Sequence, residues 1–276
     1  MVLFEVLLNV AMGVALALLL TTPMIVGKER LVDVRHQLPH RLKSAAPYFG
    51  LLVVTLLVNA GARRFGPDVS WIIGWEITGL IYDIEGMFVP QLQGLMPEWL
   101  ITYFSFIYVH GYVYLLVFPL IAYLALDDQA SMRKTVVAYT LNYAIGLACY
   151  IVVIAYGPRN LLPHLVEPFL YLNWPRAQIL TSEINVNTNV FPSLHTSLSA
   201  TVAILAFRTR DVYPRWFPVA MVISVSVILS TMVLGIHWAI DVVAGLGLAW
   251  LSVRLADRVE RRFHGERREF EVEAAA

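Results

Sequence analysis

Two histidines and an aspartate fall in stretches of this chain that are otherwise apolar, where an ionisable side chain is costly and is by default a functional candidate. His237 and Asp241 stand four apart in STMVLGIHWAIDVVAG, residues 230–245. A helix beginning near His237 puts them one turn apart on one face. The carboxylate then keeps one imidazole nitrogen protonated and leaves the other free to attack an electrophile. A histidine and an aspartate at this spacing also occur as an ordinary satisfied polar pair, so the apolar setting is what favours chemistry.

The second histidine, His195, lies in FPSLHTS, residues 191–197. Pro192 suits a first helical turn, and Ser193 or Asn189 is placed to cap it. Unpaired backbone donors and the positive end of the helix dipole then attract an anion beside His195. Arg159, in YGPRN, forks naturally onto phosphate oxygens. These parts fit phosphoryl transfer without a metal or other cofactor. His237 attacks phosphorus, His195 protonates the departing oxygen, and Arg159 with the helix terminus stabilises the equatorial oxygens. Water or another alcohol then breaks the bond to histidine. An acyl-transfer scheme with Ser193 as nucleophile lacks a base and an orienting acid around it, so Ser193 reads as a cap or a phosphate contact.

Composition supplies the setting. Of 276 residues 58% are hydrophobic and 14% charged, with a mean hydropathy of +0.67, against about a quarter charged in a soluble domain. The chain reads as an integral membrane protein. A formal charge of zero gives no sign of a nucleic-acid partner, so the expected partners are membrane lipids and a lipid phosphate substrate. The single cysteine, Cys149, leaves no internal disulfide framework or thiolate metal cluster. No Cys-x-x-Cys, His-Glu-x-x-His or Gly-rich phosphate loop is present.

These residues must be positioned by apolar helices of about 20 residues, the length that crosses a bilayer. Val2 to Val26 qualifies, and without a basic start it reads as an anchor rather than a cleaved signal peptide. Lys28 to Lys43 reads as a basic loop and Ala45 to Gly61 as a second span. Trp71 to Gln93 is too polar for an easy crossing and is expected to lie in the interface as amphipathic pieces. Further spans are Trp99–Leu126, Val136–Tyr156, Phe191–Phe207, Trp216–Leu234 and His237–Leu255. The fold class is therefore all-α, a polytopic transmembrane bundle of six or seven spans. His110, inside the aromatic third span, has no partner at helical spacing and reads as hydrogen-bonded to a neighbouring helix. The long connection from Asn160 to Val190, with Arg176 and a polar stretch Thr181–Asn189, has a length that usually serves a task.

Of the 20 lysines and arginines, all but Arg63, Arg64, Arg159 and Arg176 fall on one set of connections. The positive-inside rule puts that set in the cytoplasm, with the carboxyl terminus, and leaves the amino terminus outside. Arg159, His195 and His237 then meet at the extracytoplasmic face. Residues 1–97 form amino-terminal spans and an interfacial segment, 98–256 a catalytic helical core, and 257–276 a basic cytoplasmic tail.

FPSLH followed by HWAID resembles the Pro-Ser-x-His and His-x-x-x-Asp motifs of the type 2 phosphatidic acid phosphatase superfamily. STMVLGIHWAIDVVAG is most similar to the branch of fungal inositol phosphorylceramide synthases, in which a Ser-Thr-Met run precedes the histidine. The resemblance covers roughly Ala144 to Trp250. It implies His237 as nucleophile, Asp241 as its relay, His195 as general acid and Ser193 as a phosphate contact. The phosphatase branch carries a lysine and an arginine in its first motif and an arginine six residues before the second histidine. Here that last position is Thr231, no lysine lies on the outer side, and Arg159 is the candidate for the first-motif arginine. Few fixed cations suit a phosphodiester or diphosphate lipid better than a phosphomonoester dianion. The synthase branch shares the missing arginine.

The expected function is thus an inositolphosphotransferase-like lipid phosphotransferase working through phosphohistidine. The alternative is a lipid or polyprenyl phosphate phosphatase with water as acceptor. A proton relay or polar scaffold in a transporter is the remaining reading, and it lacks the broken-helix pairs and half-to-half symmetry of inverted-repeat transporters.

Overall fold

The computed structural model describes residues 2–179 and 190–262. The polar stretch Thr181–Asn189, with the capping candidate Asn189, and the end of the basic tail lie outside the described residues. Helix dominates. Six helical stretches are long and apolar enough to cross a membrane: Leu3–Ile25, Lys28–Ala62, Glu98–Leu124, Ala130–Val152, Trp216–Val233 and Ala239–Glu260. The molecule is an integral membrane helix bundle. Its first two helices, α1 (Val2–Ile25) and α2 (Lys28–Ile73), present rows of exposed Leu and Val. On a soluble protein such a surface would aggregate, whereas against lipid tails it is solvated.

Three sequence expectations are corrected here. Lys28 to Lys43 is helical, not a loop: it forms the first turns of the 46-residue α2, which also carries Pro39, Pro47 and Pro67. Its other charged side chains are exposed, and Arg41, 4% exposed, reaches back to the end of another helix. There it donates to the Leu124 and Leu126 carbonyls and pairs with Asp127 at 2.6 Å, a cation set on a helix C-terminus. Trp71, expected in the interface segment, belongs to the last turn of α2. The rest of that stretch forms two short helices, α3 (Thr78–Glu85) and α4 (Phe88–Gly94). The connection after residue 157 is not structureless, since it holds α8 (Pro158–Leu161) and α9 (Phe169–Asn173).

The third span is broken. α5 (Glu98–Phe106) passes through a π-helical turn, Ile107–Gly111, into α6 (Tyr112–Leu124). Such single π turns are frequent at functional sites. α7 (Ala130–Val152) ends in a two-residue strand, Val153–Ile154, pairing in parallel with Trp75–Glu76. That bridge, with the Ser70 hydroxyl on the Tyr150 carbonyl at 3.1 Å and the Tyr156 N–H on the Thr78 hydroxyl at 3.0 Å, clasps the segment between α2 and α3 to the end of α7.

The remaining helices are α10 (Leu194–Arg208), α11 (Trp216–Val233) and α12 (Ala239–Glu260). α10 has 15 residues, about 22 Å of helix, and is not among the six long stretches. It nevertheless runs beside α12 from end to end. At one end the Ser193 N–H donates to the Asp241 carbonyl at 3.1 Å. At the other, Arg208 pairs with Asp257 at 2.8 Å. Arg133 and Glu260 at 2.5 Å, with Lys134 and Asp257 at 3.5 Å, add α7 to that second cluster. Glu5 of α1 meets Arg176 at 3.3 Å on the histidine end, and the Met24 carbonyl receives Arg215 at 2.9 Å on the other. The bundle thus has one end rich in cations and, opposite it, one end bearing the histidines.

Candidate active site

Three segments meet at the histidine end: 156–159 after α7, 190–195 into α10, and 235–241 into α12. Local chemistry shapes each one. Gly235 has φ of +69°, a left-handed conformation that glycine adopts without penalty. It turns the chain after α11 so that the Ile236 and His237 N–H groups both donate to the Thr231 carbonyl at 3.0 Å. Gln93 of α4 braces this turn. Its side-chain N–H group reaches the Val233 carbonyl at 2.9 Å and the Glu167 carbonyl at 3.0 Å, and its oxygen accepts from the Glu167 N–H at 2.9 Å.

α12 starts later than the sequence reading has it. Its first helical residue is Ala239, with Trp238 as N-cap, so His237 lies just ahead of the helix and not on it. The pair with Asp241 still forms, because the third helical residue folds back over the first turn. Asp241 Oδ2 accepts the Trp238 N–H at 2.9 Å and lies 3.4 Å from His237 Nδ1. Both side chains are buried, His237 at 4% and Asp241 at 0% exposure. With Nδ1 facing the carboxylate, Nε2 is the ring nitrogen left for chemistry.

α10 starts at Ser193, whose hydroxyl accepts the Thr196 N–H at 3.3 Å, the capping role expected of it. The first turn of α10 presses on α12 at Gly245, where an added Cβ would stand 2.6 Å from the Ser193 carbonyl oxygen. His195 follows on the same turn. Tyr108 stacks on its ring at 4.4 Å and Tyr112 packs against it at 4.3 Å, both placed by the π turn. His195 also lies within electrostatic range of His237.

Arg159 is tied to the histidine turn through its backbone, its N–H donating to the Gly235 carbonyl at 3.1 Å. One guanidinium nitrogen donates to the Tyr171 hydroxyl at 2.9 Å, and the guanidinium carbon sits 4.7 Å from the centroid of that ring. The other terminal nitrogen, Nη1, is buried with no protein partner. Arg159, Ser193, His195, His237 and Asp241 are therefore all carried by the three segments that meet at this end. Arg176 is not, being exposed and paired with Glu5. Neither is His110, whose Nε2 lies 3.3 Å from Asn9 of α1 and whose ring stacks between Phe106 and Trp174.

Glu85 escaped sequence reasoning. From the end of α3 its two carboxylate oxygens accept the Ala239 N–H at 2.8 Å and the Ile240 N–H at 2.5 Å, satisfying two orphan donors at the start of α12. Burial pushes the Glu85 carboxyl above its ordinary range, the two backbone donors oppose that shift, and the Asp241 charge adds to it. No local spacing betrays such a contact, since the partners lie 154 and 155 residues apart. Glu85→Ala is expected to destabilise by about 1–2 kcal/mol, at the low end for paired carboxylates because the group is half exposed. It is also expected to lower turnover about tenfold by loosening the Asp241 turn. Thermal unfolding and initial rates check this, and wild-type rates in the variant would dismiss the role.

Among comparisons with known proteins, the family described as the PAP2 superfamily matches residues 86–255. No curated protein and no solved structure matches the chain.

Proposed function

The chain belongs to the PAP2 superfamily, and from that premise we propose that it is an inositolphosphotransferase-like lipid phosphotransferase, moving a phospho-headgroup or phosphoryl group from a lipid donor to an alcohol. The observation that carries the reading is the carboxylate-held His237, its Nε2 free, within electrostatic range of His195 and beside the segment that bears Arg159. His237 Nε2 attacks phosphorus and His195 delivers a proton to the departing oxygen. A phosphohistidine forms as the bond to the leaving group breaks. The acceptor hydroxyl then loses its proton to His195 as its oxygen takes the phosphoryl group and frees His237. Arg159 Nη1, the Ser193 cap region and the first-turn N–H groups of α10 hold the charge spread over the equatorial oxygens. The scheme calls on side chains and backbone N–H groups and on no metal.

Transfer is favoured over hydrolysis by the scarcity of cations. Thr231 stands where the phosphatase branch has an arginine, and its hydroxyl is spent on the Ile228 carbonyl at 2.7 Å. Arg159 thus faces the phosphate as its principal cation, which suits a singly charged phosphodiester. Purified protein given a labelled lipid phosphodiester and an alcohol is expected to make the transferred lipid without free phosphorylated headgroup. Phosphate release from a lipid phosphomonoester at the same rate with and without the alcohol, and no transferred lipid from the diester, would establish the phosphatase alternative instead.

In this reading residues 98–256 are the catalytic core, 1–97 flank and brace it, and 257–276 form a cytoplasmic tail. α10 crosses as a seventh span, and the cation-rich end faces the cytoplasm by the positive-inside rule. A Leu165→Cys variant is expected to react with an impermeant maleimide on intact cells, and Asp211→Cys only after lysis. The reverse pattern would invert the assignment.

A further inference from the structure

The hydroxyl of Tyr108 has no role in the scheme above, yet its position is costly. Tyr108 is 3% exposed, and its oxygen is buried without a hydrogen-bond partner among the described residues. A buried donor left unpaired destabilises a fold by about 1–3 kcal/mol, so such groups are retained where something else uses them. The surroundings indicate what that is. The Tyr108 ring lies flat on His195 at 4.4 Å, and its hydroxyl senses the charge of Arg159. Arg159 in turn keeps one nitrogen, Nη1, buried and unpartnered while Tyr171 engages the other. Two orphan donors, one neutral and one cationic, therefore lie within electrostatic range of each other, the neutral one on the ring that stacks against the imidazole serving the departing oxygen. A π turn is what brings Tyr108 there.

Resting on the phosphotransfer reading, we propose that Tyr108 is a substrate-contacting residue whose hydroxyl donates to a non-bridging oxygen of the phosphoryl group that Arg159 Nη1 holds, which fits the site to phosphodiesters. A phosphodiester has two non-bridging oxygens sharing one negative charge. One guanidinium N–H and one phenol O–H satisfy both without a second cation, whereas a monoester dianion would leave one charge facing a neutral donor.

The test compares Tyr108→Phe, which keeps the ring on His195 and deletes only the hydroxyl, with Tyr108→Leu. Tyr108→Phe is expected to lower kcat/KM for a lipid phosphodiester about 10- to 100-fold. It should weaken protection by orthovanadate against thermal unfolding and leave the unfolding temperature without vanadate no lower than wild type, since the unpaired hydroxyl is gone. Discrimination between diester and monoester should shrink in parallel. Wild-type kcat/KM and vanadate protection in Tyr108→Phe, with loss only in Tyr108→Leu, would show that the ring matters and the hydroxyl does not, and would overturn the proposal. Wild-type protein that turns over no phosphorylated lipid and gains no protection from vanadate would instead overturn the phosphotransfer reading, and this one with it.

Discussion

His237→Ala protein folds and inserts but turns over phosphorylated lipid at least about 10,000-fold more slowly than wild type, the loss expected when a covalent nucleophile is removed. The fold survives because Asp241 keeps its bond from the Trp238 N–H, and α12 retains its cap from Glu85. His195→Ala is expected to slow the reaction about 100- to 10,000-fold, the range of general acid catalysis. That defect should shrink for a donor with a nitrophenol leaving group, which departs without a proton, while the His237→Ala defect stays. Combining the two variants should cost little beyond His237→Ala alone, because residues acting as a unit are not additive. Initial rates with the two classes of donor check all three expectations. Activity surviving in His237→Ala protein would remove His237 as nucleophile, and activity surviving in both single variants would favour the proton relay or scaffold.

Asp241→Asn separates chemistry from stability. Asparagine keeps an oxygen for the Trp238 N–H and removes a carboxylate that is fully buried, with Oδ1 unpartnered among the described residues. Unfolding is therefore expected within about 1 kcal/mol of wild type, since a neutral isostere relieves desolvation as it weakens the imidazole contact. Activity is expected to fall about 100- to 10,000-fold. Oδ2 makes both contacts, so the amide oxygen in its place keeps the ring proton on Nδ1 but brings no charge to support the positive charge that develops on His237 as Nε2 attacks. A variant with normal melting and normal turnover would show that the 3.4 Å contact is only a structural pair.

The residues that could be read from sequence are those whose partners are local. His237 and Asp241 stand four apart and Ser193 caps the helix it precedes, so spacing found both contacts, although His237 meets Asp241 from just ahead of α12 and not from within a helical turn. Membrane spans were legible because each buries its own backbone hydrogen bonds and shows as an apolar run. What was missed acts at long range or across the expected polarity. Glu85 and Gln93 reach α12 and the turn before it from more than a hundred residues away. Lys28 to Lys43 looked like a loop because its charges were counted before their partners were known. Arg41 finds three of those partners beyond residue 123, at the end of α6. The π turn at Ile107–Gly111 leaves hydropathy unchanged, so nothing in the apolar run announced that Tyr108 and Tyr112 turn toward His195.

The most direct test of the account is the phosphate it places on His237. Wild-type protein quenched during turnover of a donor labelled at phosphorus is expected to carry label that is stable to base, released by acid, and discharged onto the acceptor alcohol when that alcohol is added. Peptide mapping should find the label on residue 237, and His237→Ala protein should carry none. Label that resists acid and maps to Ser193, or turnover with no labelled protein in wild type, would contradict it.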